Sequence, residues 1–104
     1  MRIAVADMPK ENYNFELTTR LDGTRYILHF MWNELAGYWF LNFKSSANIM
    51  LVSGIKVVSM VPLLNRYTIE GLPKGDLIVF NDDLVDPGKD AWGHTHKLYY
   101  MRQS

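Results

Sequence analysis

The sequence predicts an all-β domain, a small antiparallel sandwich or open barrel built on an N-terminal three-stranded meander. Three observations carry that expectation. Apolar and polar residues alternate from Phe15 to Leu21 and again from Thr24 to Trp32, the period of a half-buried strand. Asp22-Gly23 separates the two runs, and Asp-Gly between alternating segments is a strong hairpin signal, because a type I′ turn needs positive φ at both central positions. Short apolar runs then recur between Gly- and Pro-containing turns, while no segment sustains the i, i+3, i+4 spacing of an amphipathic helix.

Taking Asp22-Gly23 as a two-residue loop sets Leu21 opposite Thr24, Thr19 opposite Tyr26, Leu17 opposite Leu28 and Phe15 opposite Phe30. That face is apolar or neutral throughout. The other face pairs Thr18 with Ile27, Glu16 with His29 and Arg20 with Arg25, the last a like-charge placement that costs a few tenths of a kcal/mol. A one-residue slip would scramble the apolar face. The second hairpin turns through Asn33-Glu34-Leu35-Ala36-Gly37, with Gly37 suited to a left-handed position, and returns along Tyr38–Phe43. Pairing Trp32 with Trp39 sets Phe30 against Leu41 and Leu28 against Phe43, so both turns select one core face.

Beyond Lys44 the pattern is looser. Ile49–Val52 reads as a short strand, Ser53-Gly54 interrupts it, and Ile55–Val58 is a further strand displaced by a bulge at Gly54. Pro62 puts Met60–Leu64 at an edge or in a loop, and Leu63–Tyr67 has room for one helical turn. Leu77–Phe80 is a buried strand, Asn81–Gly93 an acid-rich loop, and His96–Met101 the closing strand.

At 104 residues, the chain is expected to form a single domain, residues 1–104. Eleven basic residues balance eleven acidic ones, which removes the electrostatic argument for nucleic acid or an anionic membrane. Near neutrality with 13% aromatics suits a chain that packs against others. No cysteine is present, hence no disulfide and no thiolate. Asp7 arrives too early for a signal peptide's apolar segment, and no run approaches the roughly 18 apolar residues of a membrane span.

The chemistry-bearing residues are few. His94 and His96 lie on one side of an extended segment, and Asp82, Asp83, Asp86 and Asp90 lie upstream, a metal site in outline whose spacing matches neither a calcium loop nor a zinc finger. A solvated acidic loop running into a strand explains them more simply. His29 faces Glu16, a pair that serves more often as a cross-strand polar contact than as an acid–base dyad. Glu34 and Glu70 are single acids in turns. No phosphate loop or nucleophile elbow occurs, so no catalytic, cofactor or metal residue is assigned.

The aromatic set Tyr26, Phe30, Trp32, Tyr38, Trp39, Phe40 and Phe43 admits sugar stacking or base stacking, the latter without the basic groove it needs. A small carbohydrate- or ligand-binding β domain is therefore the alternative function. Core packing explains Phe30, Trp39 and Phe43 directly, and Trp32 and Leu41 join the core assignment, with Gly23 and Gly37 as turn residues. Ile27, Met31, Tyr38 and Phe40 fall on the opposite face of the same strands, and a half-solvated antiparallel sheet alternates more cleanly than this. That face is expected to be covered, by the remaining strands or by another protein chain, which makes these four the candidate interface.

In order along the chain, Leu21-Asp22-Gly23-Thr24-Arg25-Tyr26, Phe30-Met31-Trp32-Asn33-Glu34, Ala36-Gly37-Tyr38-Trp39-Phe40-Leu41, Gly54, Leu63-Leu64 with Tyr67, Gly75-Asp76-Leu77-Ile78-Val79, Asp86-Pro87, and Gly93 before Leu98-Tyr99-Tyr100 resemble the baseplate plug proteins of contractile-tailed phages, the cyanophage-type plug domain. The likeness runs from about Ile3 to Met101 and departs at Ile3-Ala4-Val5, where the family opens with Ile-Pro-Leu, and over the unusually apolar Val57–Pro62. The resemblance implies a non-enzymatic virion protein of the tail baseplate, without cofactor, built in during assembly in the host cytoplasm. Its implied partners are tail-tube and hub subunits and copies of itself, with neither nucleic acid nor membrane.

Overall fold

The computed structural model describes residues 2–5, 8–9, 11–92 and 95–102, residues 2–4 as backbone only. Its strands are β1 (Arg2–Ala4), β2 (Asn14–Leu21), β3 (Thr24–Asn33), β4 (Tyr38–Ser45), β5 (Met50–Lys56), β6 (Asp76–Phe80) and β7 (Lys97–Met101). One sheet has the order β2-β3-β4-β5 and the other β1-β7-β6. All pairings are antiparallel, and the sheets do not close into a barrel.

Both predicted hairpin registers are present. Phe15 faces Phe30, Leu17 faces Leu28 and Arg20 faces Arg25; Leu28 faces Phe43, Phe30 faces Leu41 and Trp32 faces Trp39. The first turn has the predicted chirality, with φ of 54° at Asp22 and 83° at Gly23. The bulge at Gly54 is also present, but it does not separate two strands. β5 runs through it, with extra residues set against β4 between Leu41 and Lys44, and Asn42 Oδ1 accepts from the Gly54 N–H at 2.9 Å. That side-chain acceptor satisfies a bulged backbone donor, so pairing resumes on the far side.

Alternation decides which face is buried. Phe15, Tyr26, Leu28, Phe30, Trp39, Leu41, Phe43, Val52 and Ile55 join Leu77, Val79, Leu98 and Tyr100 of the second sheet in one core cluster. Met60 N and Leu63 N donate to Val79 O at 2.8 Å and Leu77 O at 3.0 Å, so the Pro62 segment caps the β6 edge, where proline is tolerated. Leu63–Tyr67 holds a single turn closed by Tyr67 N to Leu64 O rather than a helix.

A polar clamp joins the two sheets at the hairpin end. Tyr100 Oη donates to Asp22 Oδ2 at 2.6 Å and accepts from Gly75 N at 2.9 Å, while Arg102 Nε lies 2.8 Å from Asp22 Oδ1. Donation from Tyr100 holds the Asp22 carboxyl below its usual range. Burial, reinforced by the Asp22 hydrogen bond, pushes the Tyr100 phenol from 10.0 up to about 12. The folded chain therefore holds this proton more tightly than the unfolded one. The stabilisation is complete below about pH 10 and disappears as pH rises toward 12. Tyr26, raised by burial, adds to the same alkaline loss. Urea midpoints are expected to fall across that window, and to fall less in Tyr100→Phe; equal falls in both proteins would remove the clamp from the explanation.

Candidate functional site

The period of two that sends Leu28, Phe30, Trp39 and Leu41 inward sends Ile27, His29 and Met31 of β3, and Tyr38, Phe40, Asn42 and Lys44 of β4, to the outer face of the four-stranded sheet. Met31 stands directly opposite Phe40, and Tyr38 lies one pair further along, opposite Asn33. These three side chains form one apolar row. Ile27 pairs with Lys44, beyond the His29–Asn42 pair, so it is separated from the row. All four candidates are half-buried, yet none belongs to the core cluster or packs against it. The second sheet covers the other face of the meander. Of the two coverings that the sequence left open, the chain's own second sheet is not the one on this face.

The polar groups around the row are neutralised locally. Lys44 Nζ bonds Glu16 Oε2 at 2.9 Å, and that hydrogen bond holds the Glu16 carboxyl below its usual range. Lys56 Nζ sits 3.6 Å from the centre of the Tyr38 ring, and His29 Nε2 meets Asn14 Oδ1 at 2.6 Å. Glu16 and His29 are opposite in register but turn to different partners, so the acid–base pair is not formed. A face whose charges already have partners loses less on desolvation than one of bare charges.

As a stacking platform the face is poor, because Tyr26, Phe30, Trp39 and Phe43 point into the core, which leaves Tyr38 and Phe40. Phe30 and Leu41 are fully buried and Trp39 is 1% exposed. Trp32 is the exception. It is half-buried, edge-on to Trp39 with ring centres 5.8 Å apart, and its indole N–H donates to the Glu34 carboxylate. Gly37 takes φ of 74°, closing the second turn by donating to Asn33 O at 2.8 Å.

The metal outline dissolves into structural contacts. His94 lies outside the described residues. His96 is 4% exposed; its Nε2 faces Val85 O at 2.6 Å and therefore carries the proton, and its Nδ1 meets the Thr95 hydroxyl at 2.8 Å. Asp86 accepts from Ser59 N and Asp90 from the Tyr13 hydroxyl. Among the described residues no three acids or histidines are grouped to hold a metal ion.

These contacts reveal what the acid-rich loop does. Trp39 Nε1 donates to Gly88 O at 2.8 Å, Pro87 is fully buried, and Trp92 packs edge-on against Phe30 and Trp39 with ring centres 5.7 and 5.9 Å apart. The loop is a lid on the aromatic end of the core. Its signal in the sequence was a buried-type residue, Trp92, and Pro87-Gly88 amid acids; those acids drew the reading toward solvent.

The architecture is thus a two-sheet domain with no assembled reactive centre among the described residues, and its four-stranded sheet carries an apolar row on the face turned away from the core. No curated protein matches the chain. The family model described as "Cyanophage baseplate Pam3 plug gp18" matches residues 1–103, nearly the full length over which the ordered motifs run, and the chain belongs to this family of phage baseplate plugs.

Proposed function

We propose that the chain is a non-enzymatic plug of a contractile-tail baseplate that packs its outer sheet face against tail-tube and hub subunits, with further copies of itself in a symmetric assembly. It enters the virion during tail assembly in the host cytoplasm. One observation carries the reading: the Met31–Phe40–Tyr38 row is apolar, pre-arranged on rigid strands and outside the chain's own core. Such a face gains by exclusion of water when a neighbour covers it, and its backbone needs no ordering on contact. The family membership supplies the setting. Among the described residues no helix is long and apolar enough to cross a membrane.

Tyr38→Glu and Phe40→Glu test the reading. A carboxylate at position 38 lies within reach of Lys56, so each variant is expected to lose less than about 1 kcal/mol of stability, as surface substitutions do. Reconstitution with tail-tube and hub proteins should nonetheless fall at least about tenfold, equivalent to about 1.4 kcal/mol of contact energy. Wild-type incorporation by both variants would end the proposal.

A further inference from the structure

We infer that two copies of this chain pair edge to edge through β2, antiparallel about a two-fold axis at Thr18, so that their four-stranded sheets run on as one. The inference rests on the self-association within the function proposed above, and it uses a sheet edge rather than the outer face.

The other long edges of the chain are protected. Met60 N and Leu63 N cover β6, and β5 carries the bulge at Gly54, where φ is 70°, a device that spoils an edge for pairing. β2 ends the four-stranded sheet with a run, Asn14–Leu21, that contains neither Pro nor Gly. A two-residue hairpin closes on a bonded pair, here Leu21 with Thr24, and bonded pairs then alternate along the ladder. Trp32 N, donating to Tyr13 O at 2.9 Å, fixes the same phase at the far end. Phe15, Leu17, Thr19 and Leu21 therefore turn their backbone groups toward β3, while Asn14, Glu16, Thr18 and Arg20 turn theirs outward. The Asn14 N–H is taken by Asn12 Oδ1 at 3.3 Å. Among the described residues no hydrogen bond reaches the outward backbone groups of Glu16, Thr18 and Arg20.

The side chains on this edge select its occupant. Glu16, Thr18 and Arg20 share the outer face and are all exposed, with opposite charges placed symmetrically about Thr18. An antiparallel copy centred on Thr18 sets Thr18 against Thr18, Glu16 against Arg20 and Arg20 against Glu16, each a bonded pair that exchanges two backbone hydrogen bonds. Centring on Glu16 or Arg20 instead opposes like charges, and centring on Leu17 or Thr19 leaves Arg20 opposite Asn14 or Thr18. Opposite charges stabilise a cross-strand pair and like charges oppose it, so the edge specifies one register with itself. Arg20 gains most. It faces Arg25 within its own sheet, and the ion pairs among the described residues, Lys44–Glu16, Lys89–Glu34 and Arg102–Asp22, use neither arginine. Glu16 gives Oε2 to Lys44 while its side chain keeps 49% exposure, so its other oxygen is open to an arginine of the second copy. On the inner face the same register lays half-buried Leu17 beside the second copy's half-buried Thr19. Identical patches meeting about a two-fold make an isologous contact, here by strand addition at an open edge. One strand edge is a small contact, expected to be transient between free chains, and covalent trapping is the suitable readout.

The chain has no cysteine, so one introduced thiol reports one position. Bonded antiparallel partners stand about 5.5 Å apart at Cα, within disulfide reach. On oxidation, Thr18→Cys is expected to form the 18–18 disulfide at least about tenfold more than Ser53→Cys, an exposed position on the bulged β5 edge. Adding Arg20→Glu to Thr18→Cys opposes two carboxylates across the contact and should cut the yield at least about tenfold. The same change removes the Arg20–Arg25 repulsion, so the urea midpoint should not fall and misfolding cannot account for the loss. Adding Glu16→Arg to Thr18→Cys opposes two guanidinium groups and should also abolish the homodisulfide. Mixing these two chains should restore an 18–18 disulfide between unlike copies, as complementary charges require. Phe40→Glu should leave trapping unchanged, so this contact and the outer-face contact fail separately. In the reconstituted baseplate, a photoreactive label on Thr18→Cys should join two copies of the chain. An 18–18 yield no higher than that of Ser53→Cys, a yield undiminished by Arg20→Glu, or a photoproduct with tail-tube or hub subunits in place of a second copy would overturn edge pairing.

Discussion

Trp39→Ala is expected to destabilise the domain by about 4 kcal/mol, in the range of large-to-small changes at buried aromatics. Trp39 is 1% exposed and is the hub of the aromatic end: its ring lies 5.7 Å from Phe15, 5.8 Å from Trp32 and 5.9 Å from Trp92, centre to centre. Removing it opens a cavity bordered by three rings on three different segments, which cannot all collapse inward. It also removes the shorter of two hydrogen bonds to the Gly88 carbonyl, which keeps only the Ala91 N–H at 3.3 Å, and a lost hydrogen bond adds about 1 kcal/mol. Against a total stability of roughly 5–15 kcal/mol for a domain of this kind, the variant is marginal. The loss is not uniform, because the lid is fastened to the sheet by this residue. Amide exchange at Thr95 and His96, whose N–H groups donate to Ala91 O, should accelerate more than exchange at the β2–β3 ladder. Trp39→Phe keeps most of the ring packing and loses the donor, so it should cost about 1–2 kcal/mol. Far-UV denaturation and exchange measurements check both. A Trp39→Ala cost near that of Trp39→Phe would mean that the aromatic cluster is not the hinge between lid and sheet.

The same geography explains what the sequence disclosed. The meander was legible because its information is local: Asp22-Gly23 specifies both turn chirality and register, and alternation from Phe15 to Phe43 then assigns each side chain to a face. That logic puts Met31 and Phe40 on one face and Arg20 opposite Arg25. It puts Ile27 on the same face, where the His29–Asn42 pair stands between it and the Met31–Phe40–Tyr38 row. β1 went unread because three residues carry no period; what selects them is the free edge of β7, where Ile3 faces Tyr100. Gly54 was read as a break, although Asn42 repairs the ladder across it. The acids Asp82, Asp83 and Asp90 of the lid are exposed, but its fastenings are not legible, because they use the backbone carbonyls of Val85 and Gly88, and backbone acceptors leave no mark on a hydropathy pattern. The Tyr100–Asp22 bond spans 78 positions, beyond any local signal.

Gly75→Ala is expected to be the most disruptive glycine-to-alanine change among the described residues, at about 3 kcal/mol or more, the upper range for overpacking. A Cβ at position 75 would stand 2.2 Å from the Met101 carbonyl oxygen, 2.7 Å from Tyr100 Cζ and 2.8 Å from its hydroxyl oxygen. None of these can retreat cheaply. Met101 is the ladder partner of Asp76 and of Arg2, so displacing its carbonyl strains the central strand of the second sheet. Tyr100 is 1% exposed, and its hydroxyl is committed to Gly75 N and Asp22 at once. Gly37→Ala is the control, because it adds the same carbon by a different physical route. At Gly37 nothing lies within 4 Å of the added atom, and φ is 74°, so the only cost is left-handed backbone strain of about 1–2 kcal/mol. The two variants should therefore differ in kind as well as in size. Gly37→Ala should keep the fall in stability between pH 10 and about 12 that Tyr100 imposes. Gly75→Ala should flatten it, since the clamp holding the phenol proton is broken. Adding Tyr100→Phe to Gly75→Ala removes only the hydroxyl contact and leaves the clash with the Met101 backbone, so it should not rescue the fold. Urea denaturation of the three proteins across the alkaline range checks the set. A Gly75→Ala cost no greater than that of Gly37→Ala would show that β7 yields at Met101, and that the two sheets are not locked where the clamp places them.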